Sequence, residues 1–180
     1  MIYNALSIPG SDQSGGAGIQ ADLKSFSAQG VYGMAVITAL TAQNTTGVSQ
    51  IHKPSPDFVA EQIRMVAADV RIDAIKIGMI ADAMIAKAVA EEVGALSDVQ
   101  VILDPVMIAK GGAPLLAEEA MSCLCEELVP LADILTPNLP EAAALLNEKT
   151  AHNKGEMFQQ AKELLTLGPR AIYLKGGHFD

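Results

Sequence analysis

A chain of 180 residues that is 50% hydrophobic and 18% charged can bury one sizeable core, which fits a single domain and does not fit a disordered one. Twelve basic and twenty-one acidic side chains leave a net charge of −9, which argues against nucleic acid or an anionic membrane as partner. No apolar run approaches the ~18 residues of a membrane span, and MIYNALSIPG lacks the basic start of a signal peptide, so the cytoplasm is the expected compartment.

Short apolar runs predict strands at Tyr3–Ile8, Ala35–Ala42, Ala74–Ile77, Val99–Leu103, Ile134–Thr136 and Ala171–Leu174. Most show little polar alternation, the mark of strands covered on both faces. Helical patterns lie between them: Gly18–Gln29, Ser55–Asp69, Ala83–Val93, Glu118–Leu128, Pro140–Leu146 and Glu156–Leu167. Ser55 reads as an N-cap with Pro56 at the first helical position, and Gly168-Pro169 as a stop. TTGVSQIHKP adds a short strand behind a turn at Thr46-Gly47. This alternation predicts an α/β fold with a mostly parallel sheet and helices on both faces. Cys123 and Cys125 stand two apart, a spacing that does not bring helical side chains together. We expect thiols there, and neither a disulfide nor a zinc site.

The glycine-rich stretch SIPGSDQSGGAGIQADLK follows the first strand. Gly16–Ala21 fits the G-x-G-x-x-A pattern of dinucleotide sites, but the acid expected about 20 residues on is replaced by VITALTAQN. No Walker A string occurs. What remains is a turn into a helix whose small residues permit close backbone approach and whose first amides are free.

Ligands of open α/β sheets bind at the carboxyl ends of the strands. Gln43 there has the donors and acceptors to read a heterocycle edge, or is simply solvated. Asp104, before Pro105, suits either Mg²⁺ or a turn start. Asn138 and Glu141 have capping-box spacing, which also sets a carboxylate at the crevice mouth. Lys175, followed by Gly176 and Gly177, is a natural phosphate partner. His178 offers a ligand or base, although a loop histidine is more often neither; His52 and His152 have no supporting neighbours.

GSDQSGGAGIQADLK, VITALTAQNTTGV, KIGMI, VILDPVM, ILTPNLPEAAALL and KGGH occur in order along the chain. Together they resemble the hydroxymethylpyrimidine kinase/phosphomethylpyrimidine kinase family of thiamine biosynthesis, within the ribokinase superfamily. The resemblance implies one ribokinase-like domain over residues 1–180, a three-layer α/β/α sandwich lacking its C-terminal part. It implies phosphorylation of 4-amino-5-hydroxymethyl-2-methylpyrimidine and then of its monophosphate, with ATP as co-substrate and Mg²⁺ as cofactor. By that resemblance, Gly10, Ala17, Asp22, Gln43, Met79 and Val106 form the pyrimidine pocket. Asp104 and Glu141 organise Mg²⁺, while Asn138 and Lys175 face the ATP phosphates, with Lys175 as the catalytic cation. Dimers are common in the superfamily, so a homodimer is an expected partner.

The family also continues past the last residue seen here. Its Gly-Thr-Gly-Cys turn, which supplies an anion hole and a cysteine in place of a catalytic base, has no counterpart in this sequence. Cys123 and Cys125 lie in a predicted helix without a glycine turn and do not substitute. We therefore expect a part of a longer kinase, with a pyridoxal kinase of the same superfamily or an inactive pyrimidine-binding protein as alternatives.

Overall fold

The computed structural model describes residues 1–80, 82–107 and 118–177, the side chains of 118–120 excepted. Candidate residue His178 lies outside them. In chain order the elements are β1 (Asn4–Ile8), α1 (Gly18–Ala28), β2 (Tyr32–Ala35), β3 (Leu40–Gln43), β4 (Val48–His52), α2 (Pro56–Asp69), β5 (Ala74–Ile77) and α3 (Ala83–Gly94). There follow β6 (Gln100–Leu103), α4 (Glu118–Cys123), β7 (Ile134–Leu135), α5 (Leu139–Leu146), α6 (Lys154–Leu165) and β8 (Ala171–Ile172).

Six strands form one sheet in the order β2-β1-β5-β6-β7-β8, and every neighbouring pair is parallel. Successive residues of a strand point to opposite faces. Ala5, Leu6, Ser7 and Ile8 of β1 are all buried, so both faces of the sheet are covered at its centre. One helical layer joins α2, α3 and α4; α5 packs on α6, and α1 lies against β1 and β2. The core runs through Leu6, Ile8, Ile75, Ile77, Leu103 and Leu135 on the strands, with Val59, Ile63, Ile85 and Val89 contributed by α2 and α3. No helix among the described residues is long and apolar enough to cross a membrane.

The helix signals hold locally. The Ser55 hydroxyl accepts from Phe58 N–H and Pro56 opens α2, as read from the sequence. Asp82 and Asn153 cap α3 and α6 in the same way, accepting from Ile85 and Glu156 N–H at 3.0 Å. Both cysteines are free and half-buried. Burial pushes both thiols above their usual range, against activation.

Two expectations need correction. The run Ala35–Ala42 is not one strand. β2 stops at Ala35, and β3 starts at Leu40 in a separate antiparallel pair with β4. Beyond Ala35 the chain still follows β1 and its extension, Val36 N–H donating to Ser7 C=O and Thr38 N–H to Pro9 C=O, while Gln62 of α2 meets Ile37, accepting from its N–H at 3.0 Å and donating to its C=O at 3.2 Å. That side chain satisfies Ile37 on the edge away from β1, and an isolated parallel bridge joins Gly10 to Ala39 before β3 begins. Gln43 thus ends a strand of the small sheet, not of the main one. The predicted helix Glu118–Leu128 also changes geometry at Leu124, continuing as a five-residue π-helix and then a short 3₁₀ turn, Val129–Leu131.

Candidate active site

From β1 the chain crosses to β2 on one side, and later to β5 on the other, so the switch point of this sheet lies between the ends of β1 and β5. Gly10 and Met79 flank it. A Cβ at Gly10 would stand in ordinary contact, 3.4 Å, with Met79 Sδ, so the two residues sit side by side at the floor of the switch point. The Thr38 hydroxyl donates to Met79 C=O at 2.7 Å and fixes that residue's backbone.

The glycine loop is folded over by Asp12, a residue that the resemblance did not place in the site. The Asp12 carboxylate accepts from Ser14 N–H at 2.9 Å, the Ser14 hydroxyl at 2.7 Å and Gly16 N–H at 3.1 Å. Its own N–H donates to Gln20 Oε1 at 2.7 Å. Gly18, at φ +56°, opens α1, and Ile19 N–H donates to Gly10 C=O at 3.1 Å. Ala17, the N-cap residue at the entry to α1, is exposed.

Burial alone would raise the Asp12 carboxyl, but donors from Ser14, Ala17 and Gly16 outweigh it and hold the group below 3.8. A depressed carboxyl stabilises the fold above its unfolded value, and that stabilisation is lost as the pH falls through the folded value. Asp12→Asn should therefore cost about 1–3 kcal/mol at pH 7. The gap between variant and wild type should narrow progressively as the pH falls below the ordinary carboxylate range, because the folded value lies lower still. Urea unfolding of both proteins across pH checks this; a gap that stays constant into acid would show that the carboxylate does not organise the loop.

Gln43 is half-buried at the end of β3, where the ladder with β4 slips between Ala42 and Gln43. The hairpin is tied to the glycine loop through Thr41, whose N–H donates to Ser11 Oγ at 3.2 Å and whose hydroxyl donates to Ser11 C=O at 2.8 Å. Its turn is closed by Asn44 Oδ1, which accepts from Thr46 and Gly47 N–H. Asp22 lies one turn into α1. Both its oxygens are occupied, one by the Ser7 hydroxyl at 2.5 Å and the other by Lys76 Nζ at 2.6 Å.

A charged cluster stands at the next strand ends. Lys175 Nζ and Asp104 Oδ1 form an ion pair at 2.8 Å. Asn138 and Lys175 are joined by an isolated parallel bridge, with Lys175 N–H donating to Pro137 C=O at 2.8 Å. Asn138 caps α5, accepting from Glu141 N–H at 2.8 Å, while Glu141 accepts from Asn138 N–H at 2.7 Å. The capping box is complete. Glu141 is only 6% exposed. Burial raises its pKa and Asp104 pushes the same way; the amides of Asn138 and Met107 and the charge of Lys175 pull it down, less strongly. Val106, half-buried, is turned back over Asp104, with its N–H donating to Asp104 C=O at 2.8 Å.

A sequence model of phosphomethylpyrimidine kinases matches residues 12–180. The chain belongs to the phosphomethylpyrimidine kinase family. It is 54% identical over 177 residues to the hydroxymethylpyrimidine/phosphomethylpyrimidine kinase of Escherichia coli (strain K12), an alignment that covers 98% of this chain and 66% of that protein. The chain thus spans about two thirds of the length of the curated relatives it matches. The crystal structure of phosphomethylpyrimidine kinase from Clostridium difficile 630 superposes with a TM-score of 0.93 at 46% identity, covering 99% of this chain and 77% of that one. The pyridoxal kinase of Staphylococcus aureus in complex with pyridoxal superposes with a TM-score of 0.88 at 31% identity, covering 98% and 64%.

Sequence reasoning missed Asp12, Gln20 and Lys76. Asp12 carried a usable signal, since an Asp followed by Ser and Gly is the composition of a side-chain-closed turn. Lys76 carried one too, being the one charge inside the apolar strand AIKI.

Proposed function

We propose that this chain carries the pyrimidine-binding and Mg-ATP-binding sides of a kinase that phosphorylates 4-amino-5-hydroxymethyl-2-methylpyrimidine and its monophosphate. One observation carries the reading: the Lys175–Asp104–Glu141 cluster and the Gly10–Met79 crevice occupy neighbouring strand ends of one sheet, since β5 pairs with β6 through Ile77 and Leu103. Phosphoryl transfer needs alignment and charge neutralisation more than covalent chemistry, and this juxtaposition suits both.

In this reading Gly10, Ala17 and Met79 give the ring close access, Gln43 reads its polar edge, Val106 covers it, and Asp22 belongs to the polar layer beneath. Asp104 and Glu141 fit Mg²⁺: they are hard oxygen donors, and their mutual repulsion together with the burial of Glu141 favours a cation between them. Mg²⁺ held there would supply positive charge to offset that of the phosphates. Lys175 brings a further positive charge to the transferred group, in a chain whose overall charge is −9. Asn138 orients Glu141 through the capping box.

The test is turnover of the pyrimidine alcohol by the full-length protein with Mg-ATP, followed by mass spectrometry of the products. Gln43→Ala should raise the pyrimidine KM about tenfold with little change in kcat, as expected for a contact kept from ground state to transition state. An unchanged KM would remove Gln43 from the pocket. The likeness to pyridoxal kinase supports a second reading, in which pyridoxal is the acceptor. Competition of the two acceptors in one assay separates them.

A further inference from the structure

The helix that carries the glycine loop is weakly held by the usual means. No residue of α1 is buried, its N-cap Ala17 offers no side-chain hydrogen bond, and neither of its end turns has a charge suited to the helix dipole. Leu23 and Phe26 close over Gly33 of β2, where a Cβ would stand 2.9 Å from Leu23 Cδ2, and this fixes the later part of the helix. The earlier part is held by charge. Asp22, with a side chain 12% exposed, takes Lys76 Nζ on one oxygen and the Ser7 hydroxyl on the other. Ser7 belongs to β1 and Lys76 to β5, so the three side chains staple α1 across both strands of the switch point.

Lys76 is also placed to transmit this constraint. Its neighbours Ile75 and Ile77 are fully buried. Its Nζ lies 4.0 Å from where a Cβ of Gly78 would be, directly under the turn that leads to Met79. The Asp22 carboxylate has both oxygens engaged before any ligand arrives, which suits an anchor better than a ligand contact.

We infer that Lys76 is a positioning residue for the proposed kinase: through Asp22 it sets the height of α1, and with it Ala17 and the glycine loop, over the pyrimidine floor. The inference rests on the kinase reading for its kinetic consequence but not for its structural one. In the full-length protein, Lys76→Met should raise the pyrimidine KM about tenfold while kcat and the KM for ATP stay within about twofold. Asp22→Asn should match it, and the double variant should be no worse than either single one, because the pair acts as one unit. In unliganded protein, hydrogen exchange should speed up in the first turns of α1 and leave β1, β5 and β6 unchanged.

The kinetic arm and the exchange arm fail separately. If the wild type does not turn over the pyrimidine, the kinase reading falls, and faster exchange of α1 in Lys76→Met still establishes the staple. Unchanged exchange with an unchanged KM would overturn the staple. So would an Asp22→Asn defect far larger than that of Lys76→Met and adding to it, since Asp22 would then act on the ligand directly. Should Lys76→Met fail to fold, Asp22→Asn, which keeps shape and loses charge, reads the same two quantities.

Discussion

Lys175→Met is expected to lower kcat by about 10²–10³-fold and to move the pyrimidine KM by less than about threefold. Methionine keeps most of the length and the apolar stem of lysine, so the change isolates the charge. Lys175 is placed from two directions: its backbone is bridged to Asn138, and its ammonium is held by Asp104. In the proposed function, that ion pair is the resting state of a group whose task begins when phosphates enter. Phosphate oxygens would then compete with Asp104 for the ammonium, and Asp104 and Glu141 would hold a divalent cation that supplies further positive charge. The effect should fall on kcat because charge redistributes on the phosphoryl oxygens in the transition state, while the pyrimidine is gripped elsewhere. Steady-state kinetics of the full-length protein with both substrates varied is the measurement. A rise in pyrimidine KM at unchanged kcat would place Lys175 on the acceptor side and reverse the assignment of the two clusters.

The second large effect is on folding. Gly18→Ala should cost about 3 kcal/mol or more, beyond the typical range for a small side-chain change. Two costs combine. The backbone at Gly18 has φ +56°, where an L side chain loses about 1–2 kcal/mol. A Cβ there would also overlap Gly10 C=O and stand 3.2 Å from Asp12 N, both backbone atoms with no rotamer to yield. Relief would require α1 to lift, which would break the hydrogen bond from Ile19 N–H to Gly10 C=O. Gly47→Ala is the control: nothing lies within 4 Å of its Cβ position, so it should stay within about 0.5 kcal/mol of wild type. Urea midpoints for the three proteins decide the matter, and equal midpoints for Gly18→Ala and wild type would reject the close approach.

Much of this was written in local sequence. Ser55-Pro56 and Asn138-Leu139-Pro140-Glu141 are self-contained instructions, because a cap and its partner lie within one turn. The strand Ala74–Ile77 and the helices are legible for the same reason: periodicity and end signals are short-range. The break between β2 and β3 is not. Val36–Ala39 has the composition of a strand and still bonds to β1 and its extension, but Ile37 on its outer edge is met by Gln62, 25 residues away, and not by a further strand. In the site, Gly10, Gln43, Asp104, Glu141 and Lys175 are visible as polar or small residues behind apolar runs. That Asp104 meets Lys175 across a separation of 71 residues is a product of sheet order. The resemblance named Asp22 for the ligand, whereas the fold gives its carboxylate two protein partners. Lys76 stands out in the sequence as the one charge in AIKI, but its partner Asp22, 54 residues away, is set by the fold.

Glu141 shows what holding a carboxylate in readiness does to stability. Its two backbone hydrogen bonds, from Asn138 and Met107, could be accepted equally well by a neutral amide oxygen, yet the chain keeps an acid in a place where burial disfavours its ionised form. An acid with a raised folded pKa favours the native state most below the unfolded value and progressively less as the pH rises through the folded one. At neutral pH the N-terminus of α5 is therefore less stable than its own capping box would permit, which under the proposed function is a trade of native-state stability for readiness to bind a cation. A divalent ion or nucleotide that binds only the folded chain returns that stability by mass action, so the ligand acts as part of the fold it completes.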